Sequence, residues 1–337
     1  MTNTIHLKEK CCQTQKQRVR TIVTTDGECD DQNSLIRMLF YANDMDLRGI
    51  VLTSSCFHYA GNRERGIKPY RWADGQWVKK YVNAYAQIYP NLKSHDEAYP
   101  SPEYLQSIIK TGNIDHVNDM AERTPGSELI RKEILREEKS VLYLQCWGGF
   151  STIARALKSI EEDFRQQDED DRKRICEEIS KKLVIYSIII QDQCYEQYIR
   201  KHWPHIRVIF NMYSFQTMAF GWKRILNRKE RRTYYAKWQN TYILNKNNPL
   251  MRLYHTYWDD VAYDGELEQY QYGIRKRSLK KRIRLITYHG FHFKKGDFLS
   301  EGDSPAFLFL LDRGLICSIH FSTLITLFPI NLISPPS

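Results

Sequence analysis

Short apolar segments alternate with amphipathic ones between residues 18 and 210, which is typical of a parallel sheet covered by helices. The apolar segments predict strands at 19–25, 47–55, 141–147, 183–190 and 206–210. The amphipathic segments predict helices at 32–43, 76–89, 101–109, 124–135 and 195–203, and a tight turn into a helix at 148–160. Parallel neighbours need right-handed crossovers. The pattern therefore predicts a doubly wound, mostly parallel α/β sheet of Rossmann-like topology with helical insertions.

The pattern changes near both ends of the chain, and these changes suggest the domain limits. Residues 1–17 are polar and are predicted to be a flexible N-terminus. Residues 18–315 show no clear linker and are predicted to form one domain. Residues 316–337 are apolar, but His320 and Pro329 interrupt them, so we expect no membrane span there.

The composition is that of a globular chain. Hydrophobic residues make up 42% of the 337 residues, which is ample for a packed core and too much for a disordered chain. The N-terminus lacks the apolar segment of a secretory signal. The eight cysteines are scattered and form no CxxC pair. We therefore predict a cytoplasmic protein with reduced thiols.

The net charge of +10 is unevenly distributed along the chain. Basic clusters at 223–232 and 275–284 lie in a basic, aromatic stretch at 212–285, and an acidic and then basic run spans 161–174. Such clusters bind nucleic acid in some proteins, but most are solvated surfaces. No helix-turn-helix, RNP-like or zinc-finger pattern accompanies them, so we expect no specific nucleic-acid binding.

Candidate chemistry begins at an acidic turn between strand 19–25 and the helix that follows. The turn carries Asp26, Glu28, Asp30 and Asp31. Carboxylates this close repel one another unless solvent or a cation lies between them, and open α/β sheets bind ligands at this end of their strands. The alternative is a purely structural turn, because acidic residues favour the first turn of a helix.

A second acidic turn, Glu301-Gly302-Asp303, also precedes a helix, so both turns could project from one edge of the sheet. Donor sets made only of oxygen favour Ca²⁺ or Mg²⁺. The spacing does not fit an EF-hand loop. Asp26-Gly27 after a strand is also found in haloacid-dehalogenase-type phosphatases, but their nucleophilic Asp would stand at Thr24. No GxGxxG, P-loop or GxSxG pattern supports a dinucleotide, NTP or serine-hydrolase site.

The segment TTDGECDD (24–31) resembles the DxDPGxDD signature of the nucleoside hydrolase superfamily, whose members hydrolyse N-glycosidic bonds with a bound Ca²⁺. The resemblance is closer to a largely bacterial branch of unknown function, some of whose members are described as cellulose-binding. Five segments resemble that branch in order: TTDGECDDQNS (24–34), PNLKSHDEAYPSPEYL (90–105), GSELI (126–130), WGGFSTIARAL (147–157) and EGDSPAF (301–307).

The resemblance implies roles for five residues. Asp26 matches the Asp that binds calcium and acts as the general base toward water. Asp31 matches a firm calcium ligand, whereas Asp30 matches a position nearer the substrate. Asp303 matches the late Asp that completes the metal site, and the backbone carbonyl of Trp147 falls where a carbonyl contacts the ion.

The sequence also departs from the signature of the superfamily. Thr24 stands where its first Asp is expected, and Gly27-Glu28 where Pro-Gly is expected. Glu301-Gly302 replaces the His that precedes the late Asp.

Further candidates for substrate contact stand in loops that follow predicted strands or in segments of the resemblance. They are His58, Asn62, His95, Gln191, Asp192 and Glu301. A structural role is the alternative for each, since a lone His in an aromatic loop is more often structural.

Taken together, the resemblance implies a Ca²⁺-dependent hydrolase of glycosidic bonds, most closely of N-ribosidic bonds, acting on a small nucleoside or sugar. The alternative is a carbohydrate-binding or non-catalytic protein that retains the metal site. The chain is also expected to be capable of forming a homo-oligomer. Because the resemblance stops near Leu315, we expect residues 316–337 to be a truncated or altered form of the family's C-terminus.

Overall fold

A six-stranded parallel sheet forms the centre of the computed structural model, which describes residues 18–244, 247–267, 270, 272 and 293–313. Its strands are β1 (Val19–Thr25), β2 (Met45–Leu52), β3 (Ile109–Thr111), β4 (Leu142–Cys146), β5 (Leu183–Ile188) and β6 (Arg207–Asn211). All neighbouring strands pair in parallel, in the order β3-β2-β1-β4-β5-β6. This order confirms the predicted doubly wound α/β sheet.

Eleven α-helices lie in the described part of the chain. They are α1 (Cys29–Phe40), α2 (Trp77–His95), α3 (Pro102–Ser107), α4 (Pro125–Leu135), α5 (Ser151–Asp163), α6 (Glu169–Lys182), α7 (Arg200–His202), α8 (Tyr213–Met218), α9 (Trp222–Ile225), α10 (Ala236–Trp238) and α11 (Ser304–Leu310). Single turns of 3₁₀- or π-helix occur at Ala42–Asp44, Tyr195–Ile199, Glu230–Thr233, Gln239–Ile243 and Met251–Leu253.

Local pattern missed two elements. The strand β3 was not predicted, and its first residue, Ile109, was assigned to the end of a helix, because three residues that are half-buried or exposed carry no strand pattern. The helix α6 was seen only as a run of charge, because its apolar face is short: Ile179 is buried, and Ile175 and Cys176 are partly buried. The helix predicted at 195–203 is confirmed, although its first turn is π-helical and only its last turn, α7, is α-helical.

The two faces of the sheet bury different sets of helices. Successive residues of a strand point to opposite faces, and Val23 and Ile22 of β1 accordingly enter different apolar clusters. The cluster of Val23 contains α1, α2 and α11, whereas that of Ile22 contains α4 and α5. Burial on both faces fits the composition of β1, whose residues other than Arg20 are all Val, Ile or Thr.

The strand order changes direction between β1 and β4. From β1 the chain runs outward through β2 to β3, and it then crosses back to β4 on the other side of β1. The carboxyl ends of β1 and β4 are therefore the topological switch point. Asp26 follows β1 directly and Trp147 follows β4 directly. The fold thus places the acidic turn and the Trp-Gly-Gly turn side by side, in the crevice where such sheets bind ligands.

Asn33 on α1 fastens the late part of the chain to this crevice. Its Nδ2 donates to the carbonyls of His255 at 3.0 Å and Ser300 at 2.9 Å, and its Oδ1 accepts from the His255 N–H at 2.8 Å. Helix α11 packs against α1 as well. These contacts bring the second acidic turn to the N-terminus of α1.

Within the described residues, no helix combines the length and the apolar character that crossing a membrane requires. The predicted N-terminus at 1–17, the basic cluster at 275–284 and the tail at 316–337 lie outside the described residues.

Candidate functional site

The acidic turn is buried at the junction of β1 and α1. Asp26, Asp30 and Asp31 are each 2–3% exposed. The turn depends on Gly27, which has φ +83°, and a Cβ there would lie 2.8 Å from the Trp77 Nε1. The Thr25 hydroxyl donates to Asp31 Oδ1 and so orients that carboxylate.

Asp303 joins the turn from the other end of the chain. One carboxylate oxygen from each of Asp30, Asp31 and Asp303 lies within 4.8 Å of the other two. This approach requires Gly302, because a Cβ there would stand 2.4 Å from Asp30 Oδ2. The backbone N–H of Asp303 donates to Ser34 Oγ at 3.2 Å and ties the turn to α1. We call Asp26, Asp30, Asp31 and Asp303 the acidic centre.

Several oxygens of the acidic centre are buried without a hydrogen-bond partner in the described part of the chain. They are both oxygens of Asp26, Oδ1 of Asp30 and Oδ2 of Asp303. Burial, together with repulsion from neighbouring carboxylates, raises the pKa of Asp30, Asp31 and Asp303 well above the usual range. Unpaired buried charge is costly, and a cation would relieve it.

The donor set fits a hard cation. Ca²⁺ takes oxygen ligands at about 2.3–2.6 Å, so ligands on opposite sides of the ion are about 5 Å apart. Oxygens of Asp30, Asp31 and Asp303 lie no more than 4.8 Å from one another, so one such ion could reach all three. The absence of nitrogen or sulfur from these three ligands favours Ca²⁺ or Mg²⁺ over a transition metal.

The Trp-Gly-Gly turn packs against the acidic centre. The Trp147 carbonyl accepts a hydrogen bond from Gln191 Nε2, and its N–H donates to the Thr24 carbonyl at 2.9 Å. A Cβ on Gly148 would lie 3.0 Å from the Cβ of Asp26, so the turn approaches the acidic centre closely. The Trp147 ring itself is buried beside Phe307 in the core. The carbonyl as an ion ligand stays a prediction.

A second polar cluster adjoins Asp26 and consists of Glu28, His58, Arg71 and Glu266, which we call the histidine cluster. His58 Nδ1 lies 3.6 Å from Asp26 Oδ2, and His58 Nε2 lies 2.8 Å from Glu266 Oε1. Burial alone would lower the pKa of His58, but contacts with Asp26, Glu266 and Glu28 raise it to about 10. Burial would likewise raise the pKa of Asp26, but His58 outweighs burial and lowers it.

Asp192 anchors helix α5. Its Oδ2 accepts from the N–H and the hydroxyl of Ser151 at 3.0 and 2.9 Å, and its Oδ1 accepts from the Cys194 N–H at 3.0 Å. Burial raises the pKa of Asp192 to about 6. Both Asp192 oxygens therefore already accept hydrogen bonds from the protein itself. The neighbouring Gln191 donates from its Nε2 to the Trp147 carbonyl, and its buried Oε1 has no hydrogen-bond partner in the described chain.

The Glu301 carboxylate accepts hydrogen bonds from several side chains of the fold. It accepts two N–H groups of Arg37, the hydroxyl of Tyr254 and, at 3.1 Å, that of Ser304. It is fully buried. The structure therefore makes Glu301 a link between α1 and the second acidic turn rather than a group open to substrate.

Replacing Glu301 with Gln is expected to lower the free energy of unfolding by about 1–3 kcal/mol, because the buried Arg37 contact loses its charged acceptor. Chemical denaturation measures this loss. A Glu178→Gln variant, which alters a glutamate on the exposed face of α6, serves as the control and is expected to change little. An unchanged stability with an altered KM would instead assign Glu301 to substrate.

The structure does not bring two of the candidate residues to the acidic centre. Asn62 lies in a turn and donates to Asp115 Oδ2 at 2.5 Å. His95 is exposed at the last residue of α2, whose first residue, Trp77, touches the acidic turn. At 1.5 Å per residue the two ends of this helix are about 27 Å apart. Substrate contact by either residue stays a prediction.

Sequence reasoning missed Arg71 and Glu266. Glu266 lies in the stretch 212–285, which shows no clear periodicity, and it meets His58 across 208 positions of sequence. Arg71 stands in an aromatic loop with φ +48°. No local pattern links either residue to the acidic turn; only the His58 position gave a partial signal.

The comparisons with known proteins identify the family. The family model described as "Cellulose-binding Sde182, nucleoside hydrolase-like domain" matches residues 20–322. A nucleoside hydrolase-related hypothetical protein from Saccharophagus degradans, associated with carbohydrate metabolism, aligns with a TM-score of 0.57 and 23% identity, over 88% of this chain and 55% of that chain. This chain thus spans about half the length of that relative.

A second solved structure is more distant. The inosine-uridine preferring nucleoside hydrolase from Bacillus anthracis aligns with a TM-score of 0.38 and 11% identity, over 85% of this chain and 91% of that chain. A comparison with curated protein sequences gives no significant match. Because the family model covers most of the sequence, the chain belongs to the family of nucleoside hydrolase-like domains of the cellulose-binding Sde182 type.

Proposed function

We propose that the chain is a Ca²⁺-dependent hydrolase of glycosidic bonds, and that the bond is N-ribosidic. One observation carries the proposal: the buried carboxylates of Asp30, Asp31 and Asp303 converge beside Asp26 at the switch point of the sheet, and several oxygens of this acidic centre lack hydrogen-bond partners in the described chain. Catalytic and ligand groups of open α/β sheets occupy this position. The substrate class rests on the family and is an analogy.

Asp26, Asp30, Asp31 and Asp303 would hold the ion, with the Trp147 carbonyl as a fifth donor. A bound Ca²⁺ supplies positive charge that lowers the pKa of an attacking water. Thr25 holds Asp31 in place through its hydroxyl, and Gly302 allows Asp303 to approach Asp30. The chain itself thus preorganises the ligands before any ion arrives.

Asp26 would act as the general base. Its two oxygens have no hydrogen-bond partner in the described chain, and His58 keeps its pKa below the usual range, so the carboxylate is ionised at neutral pH. It can take a proton from water as the glycosidic bond breaks. The carboxylates around it also favour the positive charge that develops on the sugar. One base suffices here, unlike the two carboxylates of most O-glycosidases.

The second candidate function is carbohydrate binding without turnover, with the acidic centre as a structural metal site. Two observations favour it. The four carboxylates are at most 3% exposed, which suits an enclosed structural ion, and the family is described as cellulose-binding. In this case the ion would stabilise the fold, and sugars would bind elsewhere.

Ribose release from a panel of nucleosides, measured with Ca²⁺ and with a chelator, separates the two functions. The hydrolase is expected to release ribose with Ca²⁺ and to stop when the ion is chelated. Parallel calorimetry with Ca²⁺ and with cello-oligosaccharides gives the control. Calcium binding without any release, together with sugar binding, would replace the hydrolase by the binding protein.

A further inference from the structure

His58 bridges Asp26 and a residue from a distant part of the chain. Its Nε2 contacts Glu266 Oε1 at 2.8 Å, while its Nδ1 faces Asp26 Oδ2 at 3.6 Å. The imidazole is 1% exposed and follows β2, whereas Glu266 arrives from the segment after the π-helical turn at Gln239–Ile243. In this arrangement the Glu266 carboxylate holds the histidine, and the histidine in turn faces the proposed base, Asp26.

The Glu266 contact fixes the orientation of the imidazole ring. An ionised carboxylate only accepts hydrogen bonds, so His58 Nε2 must donate to Glu266. The second nitrogen, Nδ1, is therefore directed at Asp26, and it has no hydrogen-bond partner in the described chain. A separation of 3.6 Å is long for a hydrogen bond, but catalytic contacts commonly tighten only when substrate is bound.

Arg71 holds Glu266 in this orientation. Its Nε donates to Glu266 Oε2 at 2.7 Å and its Nη2 to Glu266 Oε1 at 3.2 Å, a two-pronged contact that restricts rotation of the carboxylate. The guanidinium also lies 3.7 Å above the ring of Tyr270. Arg71 and the side chain of Glu266 are 5% exposed, so the pair is shielded from screening by salt.

A second metal ion is the competing explanation of the histidine cluster. Ligand atoms of Glu28, His58 and Glu266 do lie within 4.8 Å of one another. However, Arg71 contacts both glutamates, with its Nη2 3.2 Å from Glu28 Oε1. Its positive charge already balances the cluster and would repel a cation placed there.

We propose that His58, held in place by Glu266 and Arg71, is a positioning residue that orients the Asp26 carboxylate toward the reacting water. The proposal rests on the function proposed above, since it gives Asp26 the role of base. It explains why a segment remote in sequence from the acidic turn contributes a buried glutamate to it. Partners of this kind typically change activity by about 10–100-fold when removed.

The first test compares Glu266→Ala, Glu266→Gln and a control, Glu133→Ala, by kcat, KM and melting temperature. Glu133 is a buried glutamate on α4 that forms an ion pair with Arg20, near the amino end of β1. Replacing it removes a similar ion pair but leaves the acidic centre and the histidine cluster unchanged. Glu266→Ala is expected to lower kcat by about 10–100-fold with little change in KM. Glu266→Gln should recover part of this loss, because its amide oxygen still accepts from His58.

Equal losses of stability with unchanged kcat in the Glu266 and Glu133 variants would show a merely structural role and overturn the proposal. The double variant His58→Ala with Glu266→Ala should be no slower than His58→Ala alone, because the two residues act as a unit; additive losses would contradict this. If Glu266→Ala does not fold, Arg71→Lys tests the same contact, since it keeps the charge and removes the two-pronged geometry.

The second test needs no turnover and separates this inference from the proposed function. Nitrogen-15 spectra of the histidine rings in the intact wild-type chain should show a slowly exchanging proton on Nε2 of His58, lost in Glu266→Ala. An unprotonated Nε2 in the wild type would overturn the proposal. So would a second Mn²⁺ ion per chain, measured by calorimetry and abolished by Glu266→Ala, because the cluster would then be a metal site.

Discussion

Replacing Asp26 with Asn is expected to lower kcat by about 10²–10⁴-fold, the usual contribution of a general base. The amide has nearly the same shape as the carboxylate but cannot take a proton from water. Asp26 is suited to the role because its oxygens are free of hydrogen bonds in the described chain and its pKa is held low by His58. The measurement is ribose release at saturating Ca²⁺, so that weaker ion binding does not contribute.

Asp46→Asn is the matched control for this variant. Asp46 lies on β2 and pairs with Arg48 at 2.6 Å, outside the acidic centre. Its replacement is expected to leave kcat unchanged. If Asp26→Asn keeps its turnover while calcium still binds, the base must be another group, and the proposed mechanism is wrong.

Removal of calcium is expected to make the chain less stable as the pH rises. Asp30, Asp31 and Asp303 have raised pKa values in the folded chain, whereas an Asp carboxyl in the unfolded chain has a pKa of about 3.9. The folded chain therefore binds more protons than the unfolded chain above this pH. It follows that the free energy of unfolding falls as the pH rises through the folded pKa values. Asp26, whose pKa is lowered, acts in the opposite direction but is one group against three.

Calcium should reverse this loss. At one hundred times its dissociation constant, an ion that binds only the folded chain adds about 2.7 kcal/mol. The gain should be largest at neutral and higher pH, because the ligands must be deprotonated. Thermal unfolding from pH 5 to 8, in a chelator and in Ca²⁺, measures both effects.

The variant Asp303→Asn provides the control for the calcium effect. It removes one repelling carboxylate from the acidic centre, so it should weaken the pH dependence in chelator and reduce the response to Ca²⁺. If the free energy of unfolding of the wild type does not change with Ca²⁺ and rises with pH, other groups already compensate the negative charge of these carboxylates.

Local pattern was enough to predict five of the six strands. Strands read from apolar segments match β1, β2, β4, β5 and β6 within a few residues, because strands buried on both faces need continuous apolar side chains. The helix predicted at 101–109 corresponds to α3, whose first turn is capped by Ser101: the Ser101 hydroxyl accepts from the Tyr104 N–H at 3.2 Å.

Where no local pattern existed, the prediction was wrong or none was made. The strand β3 is three residues long and is held by its neighbour β2 rather than by its own sequence. The helix α6 lies on the surface, so its sequence needs only a short apolar face. Glu301 looked like a polar group beside a ligand, but Arg37, 264 positions earlier, occupies its carboxylate.

The sequence by itself determined the strand pattern, the position of the acidic turn at the end of β1 and the presence of a second acidic turn before α11. These are properties of neighbouring residues, set by side-chain period and by turn chemistry. Only the tertiary structure decided which polar groups meet. Asp303 reaches Asp30 because Asn33 fastens the late segment to α1, and His58 meets Glu266 because Arg71 holds that glutamate in place. Such contacts join residues some 200 positions apart, and no local pattern records them.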